Sequence, residues 1–298
     1  MGLFDRKTTT ADPYLPELSG KQADRLRGLS VAVLGRLGVR ATAAGDHLLV
    51  SDDRKYGLFA VARKAAALPE RGWEGMAEEH FGAVIRGADG GSEVPPADLL
   101  HRVYPKLMAP ESLAYTQQSD PSRYAYARDA AMMPLLLALD SPESVSYLGT
   151  PQIERAGGAD VVWDAALRNL IAAGPGEPEE ISIDDGSFLV FETESAYQSS
   201  WLAYADRFME LLGYQTGPLG ALLGIPASNI LCLHLVTAAT GVADISAILR
   251  FAGVMHSRHP SALSPLLYWW DGATVQPISS QDGKSVHLFV PDELAGIL

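Results

Sequence analysis

The chain has 298 residues, of which 47% are apolar, and it carries a formal net charge of −13 at pH 7. This length and composition provide a large buried core, which excludes a disordered or fibrous protein. The negative charge repels phosphate backbones and anionic lipid headgroups, so it argues against nucleic-acid and membrane partners.

The sequence shows no export or membrane-spanning signal. Residues 1–8 place the charged pair Asp5-Arg6 where a secretion signal needs an apolar segment. The longest apolar runs, 132–139 and 230–236, are far below the roughly 18 residues that span a bilayer. A single cysteine, Cys232, excludes an intrachain disulfide and is typical of a reducing compartment. We therefore predict a cytoplasmic protein.

The N-terminal third predicts a flexible segment, residues 1–14, and then a small α/β unit, residues 15–88. Ser19 and Gln22 form a capping-box pattern that predicts the start of a helix, and Gly38 ends it. Apolar residues in 47–50 and 56–61 flank a polar stretch and predict a hairpin. A helix over residues 73–85 completes the unit.

A glycine-rich stretch followed by Pro95-Pro96 predicts a linker over residues 89–98, because consecutive prolines interrupt helix and sheet. Residues 99–298 then form a larger α+β unit. In it, a helix over 160–173 ends at Gly174 and a second polar turn and apolar strand follow. Because the first unit has the same order, we predict an α+β fold of mainly antiparallel sheets covered by helices, with a repeated helix-hairpin-helix unit.

Later segments predict the rest of the sheet. The apolar run 230–236 predicts a strand covered on both sides, followed by a helix over 242–256. Residues 266–270 and 274–278 flank Asp271-Gly272, which is a strong short hairpin signal. Residues 285–290 predict a last strand that completes the sheet.

The order of several segments resembles that of the YtpQ-like family of bacterial cytoplasmic proteins, over residues 20–285. The segments are Val103-Tyr104-Pro105, Leu137-Ala138-Leu139-Asp140, Gly186-Ser187-Phe188-Leu189-Val190-Phe191, Ile225-Pro226-Ala227-Ser228-Asn229-Ile230-Leu231 and Leu267-Tyr268-Trp269-Trp270-Asp271-Gly272. The resemblance implies a cytoplasmic location and no particular activity.

Cys232 and His234 are the candidate catalytic pair. They lie two residues apart on a predicted strand, so both side chains project from one face, as a thiol nucleophile and its base must. The opposing interpretation is a small apolar core cysteine, because the surrounding sequence is apolar and raises the thiol pKa.

His256 and His259 are the candidate metal ligands. They have His-x-x-His spacing near the end of a predicted helix, and His234 on the preceding strand offers a third imidazole. The opposing interpretation is a helix terminus, where basic side chains lie near the last carbonyl groups.

Tyr268, Trp269 and Trp270 are the candidate partner-binding residues. On a strand, Tyr268 and Trp270 face one way and Trp269 the other, so a sheet with one open face exposes aromatic surface. Exposed tryptophan is a common anchor for a protein partner. The opposing interpretation is burial between sheet and helices.

The sequence has no nucleotide-binding glycine motif and no catalytic spacing beyond these candidates. We therefore expect a non-catalytic cytoplasmic protein that binds another protein through a sheet face or edge and uses no cofactor. The alternative is a hydrolase or metalloenzyme that uses the Cys/His cluster. The oligomeric state does not follow from the sequence.

Overall fold

The computed structural model describes residues 11–45, 47–50, 55–90, 94–110, 112–114, 120–141, 144–214, 217–259, 261–282 and 285–296. The chain divides into two compact units, Met1–Ala88 and Asp89–Leu298. It is a mixed α+β protein in which the paired strands run antiparallel.

The predicted linker, residues 89–98, is partly helical. The helix Trp73–Gly90 continues into it, and a further helix, Pro96–Arg102, begins inside it. Proline is compatible with the first turn of a helix, since its missing N–H has no intrahelical partner there. Glycine lowers helix propensity by about 1 kcal/mol without preventing a helix.

In its described residues the first unit has three α-helices, a short 3₁₀ segment (Glu70–Gly72) and one small sheet. The helices are Gly20–Arg36, Phe59–Ala66 and Trp73–Gly90. The strands are β1 (Ala41–Ala44), β2 (His47–Val50) and β3 (Lys55–Gly57), in the order β1-β2-β3.

The predicted capping box is confirmed in the first unit, because Ser19 and Gln22 exchange hydrogen bonds at the start of the helix. The predicted second strand of the hairpin, residues 56–61, is too long. It ends at Gly57, and a helix begins two residues later, where Val61, Ala62 and Ala65 are buried against the core. Apolar residues of a short helix resemble a strand when the run is brief.

The segment 11–14 was predicted to be flexible, but it is held in the first unit. Ala11 forms a β-bridge with Ser19, and the Asp12 carboxylate accepts hydrogen bonds from the backbone N–H groups of Tyr14 and Leu15. Residues 1–10 lie outside the described part of the chain.

The second unit contains two larger sheets. The four-stranded sheet consists of β4 (Val103–Leu107), β5 (Arg128–Ala130), β6 (Met133–Ser141) and β7 (Ser144–Tyr147). The six-stranded sheet consists of β8 (Glu179–Ile183), β9 (Gly186–Glu192), β10 (Ala221–Ala227), β11 (Ile230–Leu235), β12 (Leu267–Trp270) and β13 (Val275–Pro277). Its spatial order is β13-β12-β10-β11-β9-β8.

Helices cover these sheets. They are Pro96–Arg102, Thr150–Arg155, Ala159–Ala173, Ala205–Leu212, Val242–Arg258 and Asp292–Ala295, and a 3₁₀ segment, Gln198–Tyr204, precedes the fourth. The predicted last strand does not complete the six-stranded sheet. Instead β14 (Ser279–Asp282) and β15 (Ser285–Leu288) form a separate pair.

Both faces of the six-stranded sheet are buried. On one face Phe191 packs against Phe208 of the helix Ala205–Leu212, with ring centroids 5.0 Å apart. On the other face Phe188 packs against Phe251 of the helix Val242–Arg258, at 5.4 Å. The prediction of a doubly covered strand at 230–236 is therefore confirmed for β11.

No helix in the described ranges is long and apolar enough to cross a bilayer.

Candidate functional site

Cys232 lies in the core and does not form a nucleophile site. Its side chain has no solvent exposure, and burial raises the pKa of its thiol far above the ordinary value. A nucleophilic cysteine needs a lowered pKa and access to substrate. The surroundings of Cys232 provide neither.

His234 ties β11 to its neighbours through both ring nitrogens. Nδ1 donates to the carbonyl oxygen of Ser187 at 2.8 Å, and Nε2 lies 3.0 Å from the hydroxyl oxygen of Thr240. The hydroxyl of Thr240 in turn accepts the backbone N–H of Thr237. The imidazole is thus engaged in structural hydrogen bonds and is not aimed at Cys232 as a free base.

The histidines do not assemble a metal centre. His259 follows the last residue of the helix Val242–Arg258, and its Nδ1 lies 3.0 Å from the hydroxyl oxygen of Ser261. His256 is in the last turn of the same helix. Across the described ranges, no three His, Cys, Asp or Glu side chains are placed to hold a metal ion. This arrangement corresponds to the helix-terminus interpretation.

Tyr268, Trp269 and Trp270 do not form an exposed aromatic surface. Their exposed fractions are 1%, 4% and 5%. They alternate between faces as expected, with Tyr268 and Trp270 in one core cluster and Trp269 in the other. Because helices cover both faces, the open aromatic face that the partner-binding prediction required is missing. Of the three, only Trp270 reaches the cleft described next.

A cleft of about 320 Å³ opens between the ends of the two larger sheets, and we call it the edge cleft. It is lined by β5 with Ala131 of the following turn, by Trp270, Ala273 and Val275 of the β12–β13 hairpin, and by Leu135 and residues 202–206. β5 and β13 are the terminal strands of their sheets. Each therefore has one edge with which no strand of its own sheet pairs.

The exposed lining of the edge cleft is more polar than apolar. Arg128 and Asp129 stand on one side and Asp206 on the other, and all three are exposed. The guanidinium of Arg128 lies 4.4 Å from the ring centroid of Trp163, which fixes its direction. Burial raises the pKa of the Tyr204 phenol to about 12, so it stays protonated and can donate a hydrogen bond.

The β5–β6 turn at the rim of the edge cleft is strained. Its two loop residues, Ala131 and Met132, have φ angles of +54° and +67°. The left-handed region costs about 1–2 kcal/mol for a residue other than glycine. The Asp129 carboxylate compensates in part by accepting the backbone N–H of Met132 at 3.1 Å. The Met132 side chain is 72% exposed. Backbone strain beside a cleft is a common property of functional sites.

Few local sequence patterns indicate this site. Two-residue hairpin turns with positive φ usually carry Asn-Gly or Asp-Gly, and here the residues are Ala131 and Met132. The cleft also joins segments about 70 residues apart along the chain, near 130, 204 and 272. Only Trp270 was among the predicted site residues.

Comparison of the chain with protein-family models, with curated proteins and with solved structures finds no match. The resemblance to the YtpQ-like family therefore stays a prediction, and the site is interpreted from its geometry alone.

Proposed function

We propose that this protein is a non-catalytic, cytoplasmic binding protein that holds an extended segment of another protein in the edge cleft. The observation that carries the proposal is the position of the cleft between two terminal strands, β5 and β13. An extended peptide that enters such a cleft gains main-chain hydrogen bonds from an open sheet edge. This mode gives affinity through the backbone and leaves sequence preference to the side-chain pockets.

Specific side chains supply that preference. Trp270 and Val275 offer an apolar wall, and Tyr204 offers a hydroxyl. Arg128 and Asp206 present opposite charges, which suits a segment that carries both signs. Met132 follows the lining residue Ala131 in the β5–β6 turn, and its exposed side chain offers an apolar contact just outside the cleft, a role that methionine often has at binding surfaces.

The alternative, a hydrolase or metalloenzyme built on Cys232, His234, His256 and His259, has weaker support. It needs an accessible thiolate or converging ligands, and the geometry of these residues favours structural roles. The proposal includes neither a cofactor nor a nucleic-acid or membrane partner.

We further propose membership of the YtpQ-like family and a repeated helix-hairpin-helix unit. The order of elements supports the repeat: the helix Gly20–Arg36 precedes the pair β1–β2, and the helix Ala159–Ala173 precedes the pair β8–β9. The two pairs differ in their neighbouring strands: β3 pairs with β2 in the first unit, and β11 pairs with β9 in the second.

The test is selection of displayed random peptides on the immobilised protein, followed by binding measurements on two variants. Asp206→Ala removes a charged side chain that lines the cleft, and we expect affinity to fall about three- to fivefold. Glu210→Ala is the matched control, because Glu210 lies on the same helix and pairs with the same Arg207 but does not line the cleft. We expect it to bind within about twofold of the original chain.

Asp206 and Glu210 each form an exposed ion pair with Arg207, so we expect both variants to keep their folding stability to within about 1 kcal/mol. Loss of folding therefore does not explain lost binding. Selected peptides that bind Asp206→Ala as tightly as the original chain would contradict the proposed site.

A further inference from the structure

A second cluster of reactive groups lies on the four-stranded sheet, away from the residues that line the edge cleft. Burial alternates along β4, so that Val103, Pro105 and Leu107 are buried while Tyr104 and Lys106 lie on the opposite face, half-buried. The ammonium Nζ of Lys106 donates to the carbonyl oxygen of Ala196 at 2.6 Å. Among the described residues this is its one hydrogen bond, and it has no ion pair.

Aromatic and acidic groups surround the amine. The Tyr197 ring centroid lies 5.6 Å from Nζ, and the Tyr104 ring stacks on it at 4.4 Å. The hydroxyl of Tyr197 donates to the Asp140 carboxylate at 2.9 Å. The nearest carboxylate is thus occupied by a phenol and does not pair with the amine. An ammonium has three donors, and only one is used here.

Burial enlarges the neutral fraction of this amine, although the ammonium is still the major form near pH 7.5. Burial lowers the pKa of Lys106 to about 8, and the Asp140 charge opposes that effect only in part. An ordinary lysine has a pKa near 10.4, so its neutral fraction near pH 7.5 is roughly a hundredfold smaller. Lysines with lowered pKa values serve as amine nucleophiles in proteins.

We propose that Lys106 is a covalent capture site for small uncharged aldehydes, held between the Tyr104–Tyr197 stack and Asp140. The half-buried Tyr104 ring, stacked on the buried Tyr197 ring next to the amine, offers an apolar surface, and the Asp140 charge disfavours substrates that carry a carboxylate. This site is independent of the peptide-binding proposal, because none of these residues lines the edge cleft.

The reaction is imine formation. The lone pair of Nζ attacks the carbonyl carbon and gives a carbinolamine. A C=N bond then replaces the C–O bond, and the carbonyl oxygen leaves as water with two protons, both of which come from the amine. Burial and the Asp140 charge raise the pKa of the Tyr197 phenol, so this hydroxyl stays protonated. It can lend a proton to the departing oxygen and regain one from the nitrogen, which leaves the overall balance unchanged. No oxidant or reductant takes part.

The experiment treats the intact protein with propanal and cyanoborohydride, which traps the imine as a propylamine, and locates the product by peptide mass spectrometry. At pH 7.5 we expect Lys106 to react at least tenfold faster than Lys21 and Lys64. We expect its rate to rise with a midpoint near pH 8. Glyoxylate in place of propanal should react more slowly at Lys106, since it carries a carboxylate.

Asp140→Asn provides a second test, because the pH midpoint of the reaction should shift in this variant only if the Asp140 charge acts on the Lys106 amine. Removal of the negative charge withdraws stabilisation of the ammonium, so the midpoint of the rate should move to lower pH. Circular dichroism checks that the variant folds. Reaction at Lys106 no faster than at Lys21, or a midpoint above about pH 10, would overturn the proposal.

Discussion

Replacement of Gly220 by alanine is expected to destabilise the second unit by about 4 kcal/mol, a very large effect for a single methyl group. Gly220 precedes β10 with a φ angle of +65°, and a Cβ atom there would overlap the carbonyl oxygen of Trp270. That carbonyl belongs to the neighbouring strand β12, whose Trp270 is paired with Ala221. The methyl group would therefore push apart two central strands, whose backbones cannot yield as a flexible side chain can.

Gly213→Ala is the matched control. Gly213 ends the helix Ala205–Leu212 with a φ angle of +67°, and nothing lies within 4 Å of an added Cβ. Only the backbone conformation is penalised, at about 1–2 kcal/mol. Urea denaturation followed by tryptophan fluorescence compares the two variants. Equal losses of stability in the two variants would show that the clash with the Trp270 carbonyl oxygen adds nothing to the effect of Gly220→Ala.

Removal of the Asp12 carboxylate is expected to destabilise the first unit by about 2–3 kcal/mol at pH 7, because it removes the two-oxygen partner of the half-buried Arg27 guanidinium and leaves two backbone N–H groups without their acceptor. Asp12 is 6% exposed and binds Arg27 with both oxygens, at 2.7 and 3.1 Å. Its Oδ1 also accepts the backbone N–H groups of Tyr14 and Leu15. Asp12→Ala loses all of these bonds at once.

Asp24→Ala is the matched control for Asp12→Ala. Asp24 binds the same guanidinium at 2.9 Å, but its side chain is 79% exposed. An exposed ion pair contributes about 0–1 kcal/mol, so this variant should keep nearly full stability. Hydrogen exchange of the amides in the helix Gly20–Arg36, followed in urea, measures the stability of the first unit in both variants. A loss at Asp24 as large as that at Asp12 would contradict the argument from burial.

The Asp12 effect also has a defined pH dependence. The hydrogen bond from Arg27 holds the pKa of Asp12 below its ordinary value of 3.8. At a pH between the pKa of Asp12 in the folded chain and its higher pKa in the unfolded chain, the unfolded chain binds more protons. The free energy of unfolding therefore rises with pH in this range. The contribution of Asp12 to folding stability is complete above the pKa that Asp12 has in the unfolded chain. It is lost as the pH falls through the lower pKa that Asp12 has in the folded chain. The difference between the original chain and Asp12→Asn should therefore narrow below about pH 4.

Local signals in the sequence predicted local structure well. The Ser19–Gln22 capping box and the hairpin around Asp271-Gly272 are both present, because each depends on residues only a few positions apart. The apolar composition of β11 similarly indicated burial on both faces.

The sites were much harder to predict, because distant residues determine them. The properties of Lys106 depend on Ala196 and Tyr197, which are 90 and 91 residues away and sit against β4 only in the folded chain. The same applies to the burial of Trp269, which depends on the helix that follows β11. Periodicity indicates which residues share a face, but it does not indicate what covers that face.

The ends of the six-stranded sheet provide an internal comparison for the edge cleft. β8 (Glu179–Ile183) terminates one end of the sheet and β13 the other. Glu179 and Glu180 are exposed on β8, and charged side chains of this kind are typical of edges that avoid pairing with another chain. The β13 strand carries no charged side chain, and Pro277 removes one donor near its end. β5 carries the exposed Arg128 and Asp129, so the contrast with β8 applies to β13 alone.

Hydrogen–deuterium exchange with and without a selected peptide tests the central claim most directly. If an extended segment pairs with the open edges, amides in residues 128–131 and 275–276 should exchange at least about tenfold more slowly in the complex, while those of β8 stay unchanged. Protection confined to β8, or absent from both β5 and β13 when the peptide is bound, would contradict binding in the edge cleft.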